Sequence, residues 1–439
     1  MLHLITRQIA RVRADSLARN SVGIMATSAV NAALGYIYWI VAARALPTST
    51  VGLGSSVVSA MVIVSLAIYL GPSSTLIARL PGRTTRAEWL LTVLGTLLVC
   101  AVATLVVAVA ALFPLALLLH PLRPLRDDAV LAFWYVLGAV GWTTSGLLDS
   151  VFIAERRADY MFWRNAYSSA LKLAVLVLLA VLPEHRGATT IVSTWAISGV
   201  VGTFHGLYLC HRHLHRLGRI PHPGRSLRAA MTQEALLLAR PSAGHHAISV
   251  SGLLPTYLLP IVVTARLGTR ENAYFYVTWM IGSAIFMISP AVSSAIFAEG
   301  SYDSTRMRSL ARSSLKIIMA MIVPSTLVVA ALGKPILHLY GADYAAAGYG
   351  LLLILLLSSY PDAVTNVSVA TLRVRGALGR AAVLNGTMAV IALAGAWVLA
   401  PGYGIAGAGS AWLLAQLVGT VGVIVLRRGL WPAGDGIEG

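Results

Sequence analysis

Apolar residues run through this chain in about twelve long stretches, and polar residues gather in the gaps between them. The windows 21–43, 45–78, 187–210 and 241–265 contain no Asp, Glu, Lys or Arg. Each exceeds the roughly 20 residues that a helix needs to cross a bilayer. The apolar run 381–426 is long enough for two crossings, and Ala400-Pro401-Gly402-Tyr403-Gly404 supplies a turn between them. Spans are predicted at 21–43, 51–71, 89–114, 129–150, 165–183, 188–210, 242–266, 273–297, 313–333, 345–370, 381–400 and 404–426. Each should be α-helical, because backbone polar groups in hydrocarbon must be satisfied within the segment. A membrane barrel would need alternating segments of about ten residues, and the chain lacks that pattern.

The cations set the orientation. Lys and Arg are retained in short cytoplasmic loops, so cations in every second gap report both span number and direction. Arg7, Arg11, Arg13 and Arg19 precede the first span. Later clusters are Arg79/Arg83/Arg86, Arg156/Arg157/Arg164/Lys172 and Arg212/Arg216/Arg219/Arg225/Arg228/Arg240. Arg306/Arg308/Arg312/Lys316, Arg373/Arg375/Arg380 and Arg427/Arg428 complete the series. The intervening gaps hold only Arg44, Arg123, Arg126, Arg186, Arg266, Arg270 and Lys334. Twelve spans with both termini in the cytoplasm fit this split.

Composition agrees: 57% hydrophobic residues, 11% charged residues and a mean hydropathy of +0.78 exclude an ordinary soluble domain. The net charge of +17 lies at membrane edges, which points to anionic lipid headgroups rather than nucleic acid. Cys100 and Cys210 each fall inside a span, so neither a disulfide framework nor a metal site is expected. The basic N-terminal segment is followed by a run of span length without a cleavage-type ending, so no signal peptide is expected.

The chain is expected to comprise a basic segment 1–20, a six-helix lobe 21–210, a basic linker 211–240, a second lobe 241–427 and a tail 428–439. Residues 2–12 place Ile5, Ile9 and Val12 on one helical face and Arg7 and Arg11 on another, the pattern of an in-plane interfacial helix. Six spans per half return the chain to the same side, so any repeat must be parallel, about an axis along the membrane normal. Ala43-Arg44-Ala45-Leu46 ends the first span, and Ala265-Arg266-Leu267 ends the seventh. The next span of each half closes on proline and small residues, Pro72-Ser73-Ser74-Thr75 and Pro290-Ala291-Val292-Ser293-Ser294.

Asn20, the run Ala42-Ala43-Arg44-Ala45-Leu46, the following Val51-Gly52 and the stretch from Leu70-Gly71-Pro72 to Ile77-Ala78-Arg79 resemble the opening of one family. It is the polysaccharide transporter branch, with its O-antigen flippases, of the multidrug/oligosaccharidyl-lipid/polysaccharide exporter superfamily. The topological likeness covers nearly the whole chain; the motifs are short. The resemblance implies an all-α integral membrane fold with two parallel six-helix lobes around a central cavity. It also implies a non-enzymatic flippase in the bacterial cytoplasmic membrane that moves undecaprenyl pyrophosphate-linked saccharide outward for surface polysaccharide synthesis. Polysaccharide polymerase or glycosyltransferases would then be partners. The chain departs from the branch in having few lysines and much alanine.

Ionisable groups inside spans cost roughly 2.5–3.5 kcal/mol at a helix centre, so they mark functional candidates. Arg44 and Arg266, at matched places in the halves, could bind a pyrophosphate bidentately, or snorkel to headgroups. Arg79 and Arg156, with Arg83, Arg157 and Arg164, could receive that group from the cytoplasmic leaflet, although topology already explains them. Asp362, after Pro361 and near Ser358, Ser359, Thr365, Asn366 and Ser368, suits a coupling or gating role, or one half of an interhelical ion pair. Asp149 and Glu299 are further coupling candidates, with an interfacial salt bridge as the plainer role. His245-His246 could titrate near neutrality. The cluster His211/His213/His215/His222 is expected to be a solvated basic loop, since it lacks the Cys and acidic ligands of a closed metal site.

No metal or cofactor is expected. The chain has no phosphate-binding glycine loop, no His-Glu-x-x-His and no Gly-x-Ser-x-Gly. A multidrug or lipid II exporter of the same superfamily is the alternative, but the first three spans carry no Asp or Glu. An integral-membrane glycosyltransferase or polymerase would need a large external loop or an acidic catalytic motif, and neither is evident.

Overall fold

The computed structural model describes residues 16–83, 85–182, 186–216, 243–293 and 307–425. The predicted in-plane helix at 2–12, residues 217–240 of the predicted linker 211–240 and Glu299 lie outside these residues. Helices dominate: α1 (Ser16–Ala45), α2 (Thr48–Arg79), α3 (Arg86–Leu118), α4 (Ala129–Ala154), α5 (Ala158–Ala180), α6 (Ala188–Arg216), α7 (Ala243–Leu267), α8 (Thr269–Phe286), α9 (Met307–His338), α10 (Ala342–Val374) and α11 (Leu378–Val425). Nine of them are long and apolar enough to cross a membrane among the described residues, which marks a multi-pass membrane protein. The remaining two, α5 and α6, occupy the predicted spans 165–183 and 188–210 but carry interior polar groups. Backbone geometry inside α11 breaks at Gly404 (φ 60°, ψ −150°), so this one element holds the last two predicted spans.

Local chemistry explains the helix ends. Thr85 caps α3 by accepting the Glu88 N–H at 3.2 Å, and Asp128 caps α4 by accepting the N–H groups of Val130 and Leu131 at 2.9 and 3.1 Å. Burial is inverted relative to a soluble protein. Leu98, Val102, Val106, Val109 and Phe113 of α3 are exposed, while Ser55, Ser56, Ser65, Thr104 and Thr143 are buried.

Two compact units divide the described chain. The first contains residues up to 47 and from 60 to 242; the second contains 48–59 and everything from 243. The division therefore falls inside α2 as well as at the basic linker, which the sequence did not lead us to expect. Its cause lies in the second unit. Asn272 Nδ2 donates toward the Gly52 carbonyl and the Ser55 and Ser56 hydroxyls at 2.8–3.0 Å, and Ser56 bonds Thr264. Any Cβ on Gly52 would collide with the Thr269 carbonyl, so only glycine allows this approach. In the first unit α4 and α6 meet comparably, a Cβ on Gly141 lying 3.0 Å from the Gly199 backbone. Beside that contact Thr144 and Thr203 share a 2.7 Å hydrogen bond. Small residues and interhelical hydroxyl bonds of about 0.6 kcal/mol each are the usual adhesive of helices in lipid.

Candidate functional site

A polar track crosses the interior of the first unit. On α5, Asn165, Ser169 and Lys172 follow one another at helical spacing, so they share a face. Arg164, only 1% exposed, gives Nη2 to Asp149 Oδ1 of α4 at 2.6 Å and Nη1 to Ser145. The same Asp149 oxygen accepts Asn165 Nδ2 at 2.8 Å. Asn165 Oδ1 then takes Asn31 Nδ2 of α1 at 3.3 Å, and Asn31 Oδ1 takes the Ser169 hydroxyl at 2.9 Å. One turn further, Lys172 Nζ sits 3.9 Å from the centroid of Trp195 and 5.1 Å from that of Tyr38. Tyr38 is fixed by a 2.6 Å bond to Thr194, and Trp142 stacks on Trp195 at 5.1 Å. Among the described residues no carboxylate pairs with Lys172, so its charge rests on aromatic faces.

The second unit buries one acid, Asp362, among its described residues. Its side chain on α10 is buried, and Oδ2 has no hydrogen-bond partner among the described residues. Nor does any cation there pair with it, so the interhelical ion pair weighed from sequence is not found among them. Ser289 Oγ is likewise buried and lies beside that carboxyl. The surroundings are otherwise satisfied. Thr365 Oγ1 donates to Gln416 Oε1 at 2.9 Å, Asn366 Nδ2 donates to the Asp362 carbonyl at 3.0 Å, and Thr420 donates to the Pro361 carbonyl at 3.2 Å. Proline cannot donate in the helix interior, and the Thr365–Gln416 and Thr420–Pro361 bonds tie α10 to α11 beside it.

The other predicted residues are scattered. Arg44 and Arg266 occupy the last turns of α1 and α7, matched positions in the two halves, and both are exposed. Arg266 Nε donates to the Trp397 carbonyl at 3.0 Å, with its guanidinium 4.8 Å from the Trp397 ring centroid. Arg79 ends α2, half-buried, and Arg156 occupies the exposed turn after α4. His245 and His246 open α7, but their side chains lie outside the described set.

Two expectations need correction. Arg164 and Lys172 are not edge cations: both lie within α5, and their i, i+8 relation beside Asn165 and Ser169 was the overlooked signal. His213 is not loop either. Helix α6 continues to Arg216, and His213 Nε2 is buried 3.1 Å from Glu155 Oε2, whose Oε1 accepts Trp89 Nε1 at 2.7 Å. No His, Cys, Asp and Glu cluster able to hold a metal occurs among the described residues.

No protein-family model and no curated protein matches the sequence. Solved structures do. A lipid II flippase MurJ in an inward closed conformation is similar at a TM-score of 0.70 and 11% identity, over 92% of this chain and 87% of that one. An inward-facing multidrug resistance transporter of the MATE family, in the MOP superfamily, is similar at 0.68 and 14%, over 91% and 94%. A MOP superfamily transporter from Pyrococcus furiosus, described by a reversed polarity of its binding pocket, follows at 0.56 and 13%, over 94% and 95%. The fold is therefore that of these transporters.

Proposed function

We propose that the protein is a flippase that moves lipid-linked oligosaccharide, carried on undecaprenyl pyrophosphate, across the bacterial cytoplasmic membrane for surface polysaccharide synthesis. The observation that carries this reading is Lys172: a cation among stacked aromatic rings, with no carboxylate partner among the described residues, in a fold like that of a lipid II flippase. Lipid II flippase is a name for a carrier of a lipid-linked substrate, which supports the same chemistry here. Transport proceeds by alternating access, with both termini cytoplasmic. Arg44 and Arg266 are each candidate pyrophosphate ligands on the outer side, and Arg79 and Arg156 on the inner. Asp362, beside Pro361, couples the cycle to a cation, with Asp149 and Glu299 as lesser candidates. Polymerase or glycosyltransferases stand on either side of the step.

Deleting the gene should cause a lipid-linked sugar pool to accumulate on the inner leaflet. Lys172→Met should fail to clear that pool although the protein is present at normal abundance. A deletion strain with an unchanged pool would end the reading. Multidrug export is the second reading, favoured by the likeness to a MATE transporter; it requires that the deletion strain become drug-sensitive with its sugar pool unaltered.

A further inference from the structure

Helix α4 closes with the Arg157 N–H on the Phe152 carbonyl at 2.8 Å and the Arg156 N–H on the Ile153 carbonyl at 3.1 Å. This is the C-terminal turn that needs a left-handed residue, usually glycine. Arg156 supplies it with φ 54°, and it is the only non-glycine with positive φ among the described residues. Helix α10 ends in the same pattern, Ala377 N–H on the Leu372 carbonyl at 2.9 Å and Gly376 N–H on the Arg373 carbonyl at 3.1 Å. There glycine does the work, at φ 68°. One turn geometry thus occurs twice, and in the first unit a strained arginine stands where glycine would serve the helix better. Strain of this kind persists where a side chain has another use.

Arg156 borders a cavity of about 320 Å³ between the start of α1 and the start of α5, with Asn20, Val22, Asp159, Phe162 and Trp163. The charges are uneven. Asp159 is engaged by Arg157, whose Nε donates to Oδ1 at 2.7 Å. Arg156 has no acidic partner among the described residues, so it carries the cavity's net charge. Asn20 Oδ1 already accepts the Ala158 N–H at 3.0 Å, which occupies the first donor of α5 and leaves the Asn20 amide N–H groups as donors. The walls are apolar and outward-facing, with Val22 54% and Trp163 66% exposed. Tryptophan at that exposure is the residue of a membrane interface.

We infer that this cavity seats the phosphate end of a membrane lipid: Arg156 and Asn20 hold the phosphate oxygens, and Val22, Phe162 and Trp163 lie along the first carbons of the tail. A guanidinium held beside an amide donor matches phosphate, and a flanking aromatic wall matches the chain attached to it. That the lipid is the transported polyprenyl pyrophosphate rests on the flippase reading; the phosphate seat itself does not.

The test uses the full-length protein in nanodiscs, with affinities for undecaprenyl pyrophosphate, undecaprenol, phosphatidylglycerol and inorganic pyrophosphate read by native mass spectrometry. Arg156→Gly relieves the strain and removes the charge. It should bind undecaprenyl pyrophosphate about tenfold more weakly while its Tm is unchanged or slightly higher, and undecaprenol binding should not change. Arg156→Asn tolerates the same backbone without the charge and should behave likewise, which separates charge from folding. Wild-type affinity in both variants, or inorganic pyrophosphate binding as tightly as the lipid, overturns the seat. Equal loss of phosphatidylglycerol and polyprenyl pyrophosphate upholds the seat and counts instead against the flippase assignment of its lipid.

Discussion

The two units handle buried charge in opposite ways. In the first, Arg164 is matched by Asp149 and Ser145, Glu155 by His213 and Trp89, and Lys172 by the rings of Trp195 and Tyr38. In the second, Asp362 keeps one buried oxygen without a hydrogen bond and no cation at hand among the described residues. An isolated charge in a low-dielectric interior is expensive, whereas a paired and hydrogen-bonded one is not. The first unit therefore compensates its charges with polar or aromatic partners, whereas in the second a protonated or cation-bound Asp362 would cost less than a bare carboxylate. The difference is one of local satisfaction: one carboxylate oxygen of the second unit goes unanswered among the described residues.

Breaking the matched set should have the largest effect. Asp149→Leu leaves Arg164, 1% exposed, as an uncompensated buried charge and should cost about 3 kcal/mol or more. The check is loss of folded protein in detergent. Adding Arg164→Met should recover most of that loss, since a buried pair replaced by apolar residues is often neutral. No recovery would mean that the track does more than balance charge. Asp362→Asn should act in reverse: stability within about 1 kcal/mol of the parent or above it, with transport in vesicles altered or its pH dependence flattened. If instead Asp362→Asn unfolds the protein as Asp149→Leu does, the contrast between the units is lost.

Lys172→Met sits between these cases. A cation over aromatic rings contributes about 0.5–2 kcal/mol, part of which methionine's contact with the rings replaces. The expected outcome is a small fall in Tm with a large loss of flipping; intact flipping would reduce Lys172 to packing.

How much of this was legible depends on the range of the interaction. Helix breaks and ends are local, so the turn around Pro401 and Gly404 and the matched Arg44 and Arg266 could be read along the chain. Counting cations by gap, however, treats every arginine as topological. It assigned Arg164 and Lys172 to an edge, when their spacing with Asn165 and Ser169 put them inside α5. The grip of Asn272 on Gly52 spans 220 residues and follows from no local pattern, so the division within α2 was invisible. The same holds for Asp362, whose polar neighbours on α10 were readable but whose lack of a cation partner among the described residues is a fact of packing.

The smallest expected effect compares the turns that close α4 and α10. Left-handed backbone costs a non-glycine residue about 1–2 kcal/mol, but glycine returns part of that because its unfolded chain is freer, by about 0.5–1 kcal/mol. Arg156→Gly should therefore gain only about 0.5–1 kcal/mol. Gly376→Ala, forced into φ 68° with no neighbour within 4 Å of its new Cβ, should lose a similar amount for the converse reason. The two changes make a matched pair, because the hydrogen bonds of the turns agree to within 0.1 Å. Thermal melts of both single mutants decide the point. Opposite signs of Tm change would establish that Arg156 is kept at a cost to the fold. A stability loss in Arg156→Gly would instead make its side chain a structural prop, and the strain in that turn would no longer speak for a ligand.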